Sequence, residues 1–219
     1  MSKVTKVQTK MVEKEPADLV FVSCLVDESS SMAGLQSKVK EAVATVLQKI
    51  GGRPEVQVSI HKFATKRDRL IAFGTASAGL TTMSINYNPN GGTRLYGSLL
   101  DAIKESRLEA KIAEDLAGLK VHHLFAIVTD GEDNQSTDDE VDCCRAEIQK
   151  IDVHATFILL DFSEAGNSGE RVGLKSIAAN ISDFSKTMQA LIVDLEKVAD
   201  NVMRQLAPDQ GLLLLECMH

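Results

Sequence analysis

Apolar residues along the chain switch between two periods, and the switches lay out its elements. Residues 19–26, LVFVSCLV, form an unbroken apolar run, the pattern of a strand buried on both faces. Over 34–50 the period becomes helical, with Val39, Val43, Val46, Leu47 and Ile50 on one face and GGRP at 51–54 as the stop. Residues 56–63, VQVSIHKF, alternate and predict a strand with one polar face, and 69–73 follows a charged turn as its antiparallel partner. The stretch 74–93 is rich in Gly, Ser, Thr and Asn and reads as a loop enclosing a short helix. A helical period returns at 95–108, and 121–129, VHHLFAIVT, is a second apolar strand. A helix is expected at 137–151, capped by Thr137 or Asp138 and opened by the acidic run Asp138, Asp139 and Glu140, which suits a helix N-terminus. Further on come a buried strand at 153–160, a short helix at 171–179, a short last strand at 182–185 and a long amphipathic helix at 187–206.

Strands alternating with helices predict an α/β fold: a doubly wound, mainly parallel central sheet with one antiparallel edge strand and helices on both faces. Neither an internal repeat nor a low-complexity linker divides the chain, so one domain is expected over 18–207. Residues 1–17, with Val4, Val7 and Val12 dotted among lysines, form a polar N-terminal arm, either loose or added as an edge strand. Residues 208–219 form a short tail whose apolar run at 212–215 has no evident role.

Composition narrows the partners. The 219 residues are 44% hydrophobic and 25% charged, ordinary for a globular protein with a large core. The net charge of −7, without a basic stripe, points away from nucleic acid and from an anionic membrane. Cys24, Cys143, Cys144 and Cys217 lack zinc-type spacing and read as reduced thiols, with at most one of the adjacent pair facing the core. Neither a signal-peptide core nor a run of ~20 apolar residues is found, so a soluble cytoplasmic protein is expected. His122 and His123 begin a strand and face opposite ways, one to the surface and one partly buried, and His61 and His154 are likewise read as structural.

The chemistry gathers where apolar strands end. In doubly wound sheets ligands bind at the carboxyl ends of the strands, beside a topological switch point. Three oxygen-rich segments are due at that edge: Asp27-Glu28-Ser29-Ser30-Ser31 after the first strand, Gly91-Gly92-Thr93 before a helix, and Asp130-Gly131-Glu132 after the strand at 121–129. Asp27, Ser29 and Ser31 alternate, so an extended turn directs all of them one way. Two carboxylates and three hydroxyls are hard donors, suited to Mg²⁺, Mn²⁺ or Ca²⁺. Each residue has a plainer reading too. Asp at a strand–loop junction is often a local cap, and Thr93 alone suits the N-cap of the helix that follows.

D-x-S-x-S after a strand, G-G-T before a helix and a strand ending in T-D-G together resemble the metal-ion-dependent adhesion site of the von Willebrand factor type A domain. The resemblance spans about 18–207 and keeps the order of the segments. It implies that Asp27, Ser29, Ser31, Thr93 and Asp130 hold a divalent cation, directly or through water, and that a partner protein's Asp or Glu completes the coordination. Glu28, at a variable position of the motif, adds negative charge at the metal mouth on this reading, as do Glu132 and Asp133.

Two further classes compete. One is an accessory subunit working with a separate ATPase in trans, as some intracellular relatives do, since this chain carries no nucleotide-binding motif. The other is a metal-dependent hydrolase. The three segments contain no histidine or lysine to act as a base, and Ser29 stands where an aspartyl-phosphate pair needs a second aspartate, so the expectation is a binding module and not an enzyme.

Overall fold

The computed structural model describes residues 18–50, 53, 55–71, 86–151, 154–163 and 166–204. Its centre is a six-stranded sheet in the order β3-β2-β1-β4-β5-β6. In chain order these are β1 (Leu19–Asp27), β2 (Val56–Phe63), β3 (Arg67–Ile71), β4 (Val121–Thr129), β5 (Ala155–Asp161) and β6 (Ser176–Ala178). All neighbours pair in parallel except β2 and β3, which are antiparallel. The sheet is thus the doubly wound, mainly parallel one with an antiparallel edge strand that the pattern predicts.

Alternation along the buried strands divides the core in two. Val20, Val22, Cys24 and Val26 face one side, where helices α1 (Gln36–Lys49) and α4 (Phe184–Arg204) close over them. Leu25, Phe125 and Ile127 face the other, under α2 (Leu95–Ala117) and α3 (Asp138–Ile151). The chain winds outward from β1 in both directions, so strand order reverses between β1 and β4. Register pairs Val26 with Val128 and Thr129 with Asp161, which lines up the ends of β1, β4 and β5. The sheet therefore brings the loops after β1 and β4 to one edge at the switch point.

Several boundaries differ from the sequence pattern. α2 continues past residue 108 to Ala117, because Leu108, Ile112 and Leu116 keep helical spacing while leaving the buried face. The helix expected at 171–179 is only a 3-10 turn, Glu170–Val172, after which Ser176–Ala178 pairs with β5 as the edge strand β6. The strand expected at 182–185 is instead a 3-10 turn, Ile181–Asp183, leading into α4 at Phe184, whose ring is buried against Phe162. His122, His123 and His61 are buried, not at the surface, since β2 and β4 are covered on both faces. His123 bonds Ser106 through Nδ1 at 2.8 Å and stacks on Phe125, while His154 is exposed. Cys144 is buried and its neighbour Cys143 exposed. The arm at 1–17, the tail run at 212–215 and most of the loop at 74–93 lie outside the described residues.

Candidate metal centre

The first loop leaves β1 at Asp27, which is fully buried and bonded on every side. Its Oδ1 accepts the Ser29 N–H at 2.7 Å and its Oδ2 accepts the Thr129 hydroxyl at 2.6 Å. These bonds fix the turn so that a 3-10 helix, Ser30–Leu35, can begin at once, with Met32 buried beneath it. Ser29 and Ser31, two residues apart, consequently project together, with their hydroxyl oxygens 3.0 Å apart. The Ser31 hydroxyl donates to Asp130 Oδ1 at 2.7 Å, across 99 residues of chain.

Thr93 enters from the second loop and is buried. Its N–H donates to Asn134 Oδ1 at 2.9 Å, and its carbonyl accepts the N–H groups of Asn134 and Gln135. The second loop is thus laced to the third. Gly91 turns at φ 86°, a conformation that side chains disfavour, and directs its carbonyl to the N–H and hydroxyl of Ser30. Gly131 serves a different need. Its φ is not positive, but a Cβ there would lie 3.3 Å from Thr93 Oγ1 and 3.8 Å from Ser31 Oγ. The absent side chain leaves a notch on which hydroxyls from two loops open. Oxygens of Asp27, Ser29, Ser31, Thr93 and Asp130, far apart in sequence, are thereby gathered at one sheet edge.

Electrostatics sharpen the character of this cluster. Burial pushes the Asp27 carboxyl up to about 6, against the hydrogen bonds from Thr129 and Ser29 that favour its charged form. Asp130 is also raised, chiefly by burial and further by the charge of Asp161, against the bond from Ser31. Among the described residues neither carboxylate makes an ion pair. Two partly desolvated carboxylates and three hydroxyls without a cationic side chain form a donor set that suits a hard divalent ion. No group of three or more His, Cys, Asp or Glu side chains poised for a metal occurs among the described residues, so any ion here relies on hydroxyl oxygens.

Three expectations about flanking residues need correction. Glu28 adds no free charge at the mouth. It is buried, ion-paired with Lys62 at 3.0 Å, and accepts the N–H of Asn88. Asp133 is turned inward, its Oδ1 accepting the N–H groups of Leu95, Gln135 and Ser136 while its Oδ2 is buried without a hydrogen-bond partner. Thr93 is not the cap of α2. The first free N–H groups of that helix go to Asp133 and, at Gly97, to Ser136, both from the loop after β4.

Sequence reasoning used Thr129 in the T-D-G pattern without giving it a role, and overlooked Tyr87 and Asp161. Tyr87 donates its hydroxyl to the Asp27 carbonyl at 2.5 Å. Asp161, fully buried at the tip of β5, accepts the N–H groups of Ser163 and Ser168 and so ties down the loop behind Asp130. The signal was present for Asp161, since its strand is a third apolar run ending in an aspartate. A Ser–His contact exists elsewhere, between Ser59 and His61 at 2.6 Å, but Arg67 donates to His61 Nδ1. Nε2 therefore carries the proton and points it at Ser59, the reverse of a base activating a nucleophile.

No protein-family model matches the chain, and no curated protein matches it in sequence. Solved structures do. Proximal thread matrix protein 1 from the mussel byssus, in a form with a zinc-occupied MIDAS motif, is 19% identical with a TM-score of 0.60, over 84% of this chain and 49% of that one. A von Willebrand factor type A protein from Catenulispora acidiphila is 15% identical with a TM-score of 0.55, over 80% of this chain and 42% of that one. The vWF domain of the type V pili tip protein Mfa5 from Porphyromonas gingivalis is 13% identical with a TM-score of 0.57, over 84% of this chain and 97% of that one. The chain spans about half the length of the first two proteins, at 49% and 42%. Likeness at these identities establishes the fold: the chain has the von Willebrand factor type A fold.

Proposed function

We propose that this chain is a metal-dependent protein-binding module, with Asp27, Ser29, Ser31, Thr93 and Asp130 holding a divalent cation and a partner's Asp or Glu completing its shell. The observation that carries the reading is the chain of contacts from Ser29 Oγ to Ser31 Oγ at 3.0 Å and on to Asp130 Oδ1 at 2.7 Å, beside the notch at Gly131. When bound, a hard divalent ion supplies positive charge and a coordination position for an incoming carboxylate oxygen. The residues around it do the positioning. Thr129 and the Ser29 N–H hold Asp27 so that the first loop turns at once, and Asn134 fixes the backbone at Thr93.

The mussel protein's zinc-occupied motif supports a divalent ion on this fold, and Mg²⁺, Mn²⁺ and Ca²⁺ fit the oxygen donors here. The orientation of the Ser59–His61 pair supports binding over hydrolysis. No helix among the described residues is long and apolar enough to cross a membrane. The proposal places the protein in the cytoplasm, where the free thiols of Cys24, Cys143 and Cys144 stay reduced. The test is affinity capture with Mg²⁺ and with a chelator, alongside calorimetric titration with Mg²⁺, Mn²⁺, Ca²⁺ and Zn²⁺. The reading expects an ion to bind and partners to be retained only with the ion. It fails if none of the four ions binds, or if capture is indifferent to chelation.

A further inference from the structure

The second half of α2 carries an apolar ridge that no described residue covers. Leu108, Ile112 and Leu116 recur every four residues and are 62%, 50% and 83% exposed, so they line one face of the helix. Val193 is the one other large apolar side chain counted as exposed among the described residues. A helix needed only to close over the sheet would stop near Ser106, its last buried residue, yet α2 runs on to Ala117. Apolar side chains aligned on such an overhang mark a docking surface.

We propose that residues 1–17 of this chain dock on the ridge of Leu108, Ile112 and Leu116. The first argument is where that segment joins the body. The Asp18 N–H donates to the Lys120 carbonyl at 2.8 Å, and the Lys120 N–H donates to Asp18 Oδ2 at 2.8 Å. Lys120 follows closely on the end of α2 at Ala117, so the segment departs beside the Leu116 end of the ridge.

The second argument is pattern. Val4, Val7 and Met11 are spaced by three and four, a helical stripe. As a helix it extends about 11 Å at 1.5 Å per residue, close to the ridge it would cover. Residues 12–17, with Pro16, remain as the connector.

The third argument is size. Three side chains fall well short of the ~800 Å² per partner of a standard interface between separate proteins. A tethered segment needs less, because its effective concentration is on the order of mM.

Hydrogen exchange on the full chain tests the proposal, comparing the unaltered protein with Ile112→Asp and with the double variant Val4→Asp, Val7→Asp. Both variants change exposed or terminal positions, leaving the core intact. Residues 3–11 should be protected in the unaltered chain. Either variant should then speed exchange about tenfold in both 3–11 and 108–117, with β1 and β4 unchanged. The proposal is overturned if 3–11 exchange at free-peptide rates in the unaltered chain. It is equally overturned if the arm variant leaves 108–117 untouched, or if protection of 108–117 rises with protein concentration and Ile112→Asp abolishes it, which assigns the ridge to a second copy.

Discussion

Glu28 and Lys62 form a buried ion pair, 3.0 Å apart, between the loop after β1 and the end of β2. The glutamate also accepts the Asn88 N–H, and its carbonyl accepts the Asn90 N–H, so one residue holds the approach to Thr93 against the loop carrying Ser29 and Ser31.

Lys62→Met should therefore be costly, because it leaves a buried carboxylate without its cation. A loss of about 3 kcal/mol is expected. Adding Glu28→Gln to it should recover part of that loss, since the amide keeps a carbonyl for Asn88 and removes the stranded charge. Urea unfolding of the two single variants and the double variant checks this. Equal stability of Lys62→Met and the unaltered protein would show that the pair contributes nothing.

Ser31→Ala and Asp130→Ala remove opposite ends of one hydrogen bond at a loop edge. Each should weaken Mg²⁺ binding by about tenfold or more while leaving the thermal midpoint within a few degrees, as the sheet core is untouched. Calorimetry and thermal melts report the two effects separately. Undiminished Mg²⁺ affinity in both variants would remove these residues from the site.

Thr129 acts through Asp27. Its hydroxyl donates to Oδ2 of a fully buried carboxylate, a charge-assisted bond. Thr129→Val keeps the shape and deletes the donor, so a loss of about 2 kcal/mol at neutral pH is expected. Thr129→Ser retains the donor and should restore most of the stability. If valine and serine behave alike, packing and not the hydrogen bond accounts for Thr129.

Acid should weaken the fold through His123. Burial, with the charges of His154 and Arg107, pushes its pKa down to about 4. Below its ordinary value of about 6.5 the unfolded chain takes up a proton that the folded protein refuses until about 4, so stability falls as pH drops through that window. Between about pH 7 and about pH 5 the loss from this one group is about 2 kcal/mol. His123→Gln, which does not titrate, should show a correspondingly shallower decline in urea unfolding. The same slope in both proteins would mean that His123 is already charged when folded.

Much of this molecule is legible from the chain alone. The runs at Leu19–Asp27 and Val121–Thr129 mark strands covered on both faces, because continuous apolar sequence has no polar side to give to water. Their oxygen-rich ends, with Gly91-Gly92-Thr93, name the five residues whose oxygens the structure gathers. Failures cluster where segments are short or amphipathic. Residues 176–178 pair as a strand because β5 offers them an edge, and no local period could announce that. α2 extends past its buried face, where periodicity ceases to report burial.

Only tertiary structure decided which polar group meets which. Nothing near Glu28 in sequence foretells Lys62, 34 residues on, and nothing near Leu95 foretells its cap by Asp133, 38 residues on. Apolar periodicity is a local property, since each residue's preference for the interior is its own. A hydrogen bond or ion pair needs a particular atom within about 3 Å, and that is set by the register of β1 against β2 and β4, which the whole sheet fixes together.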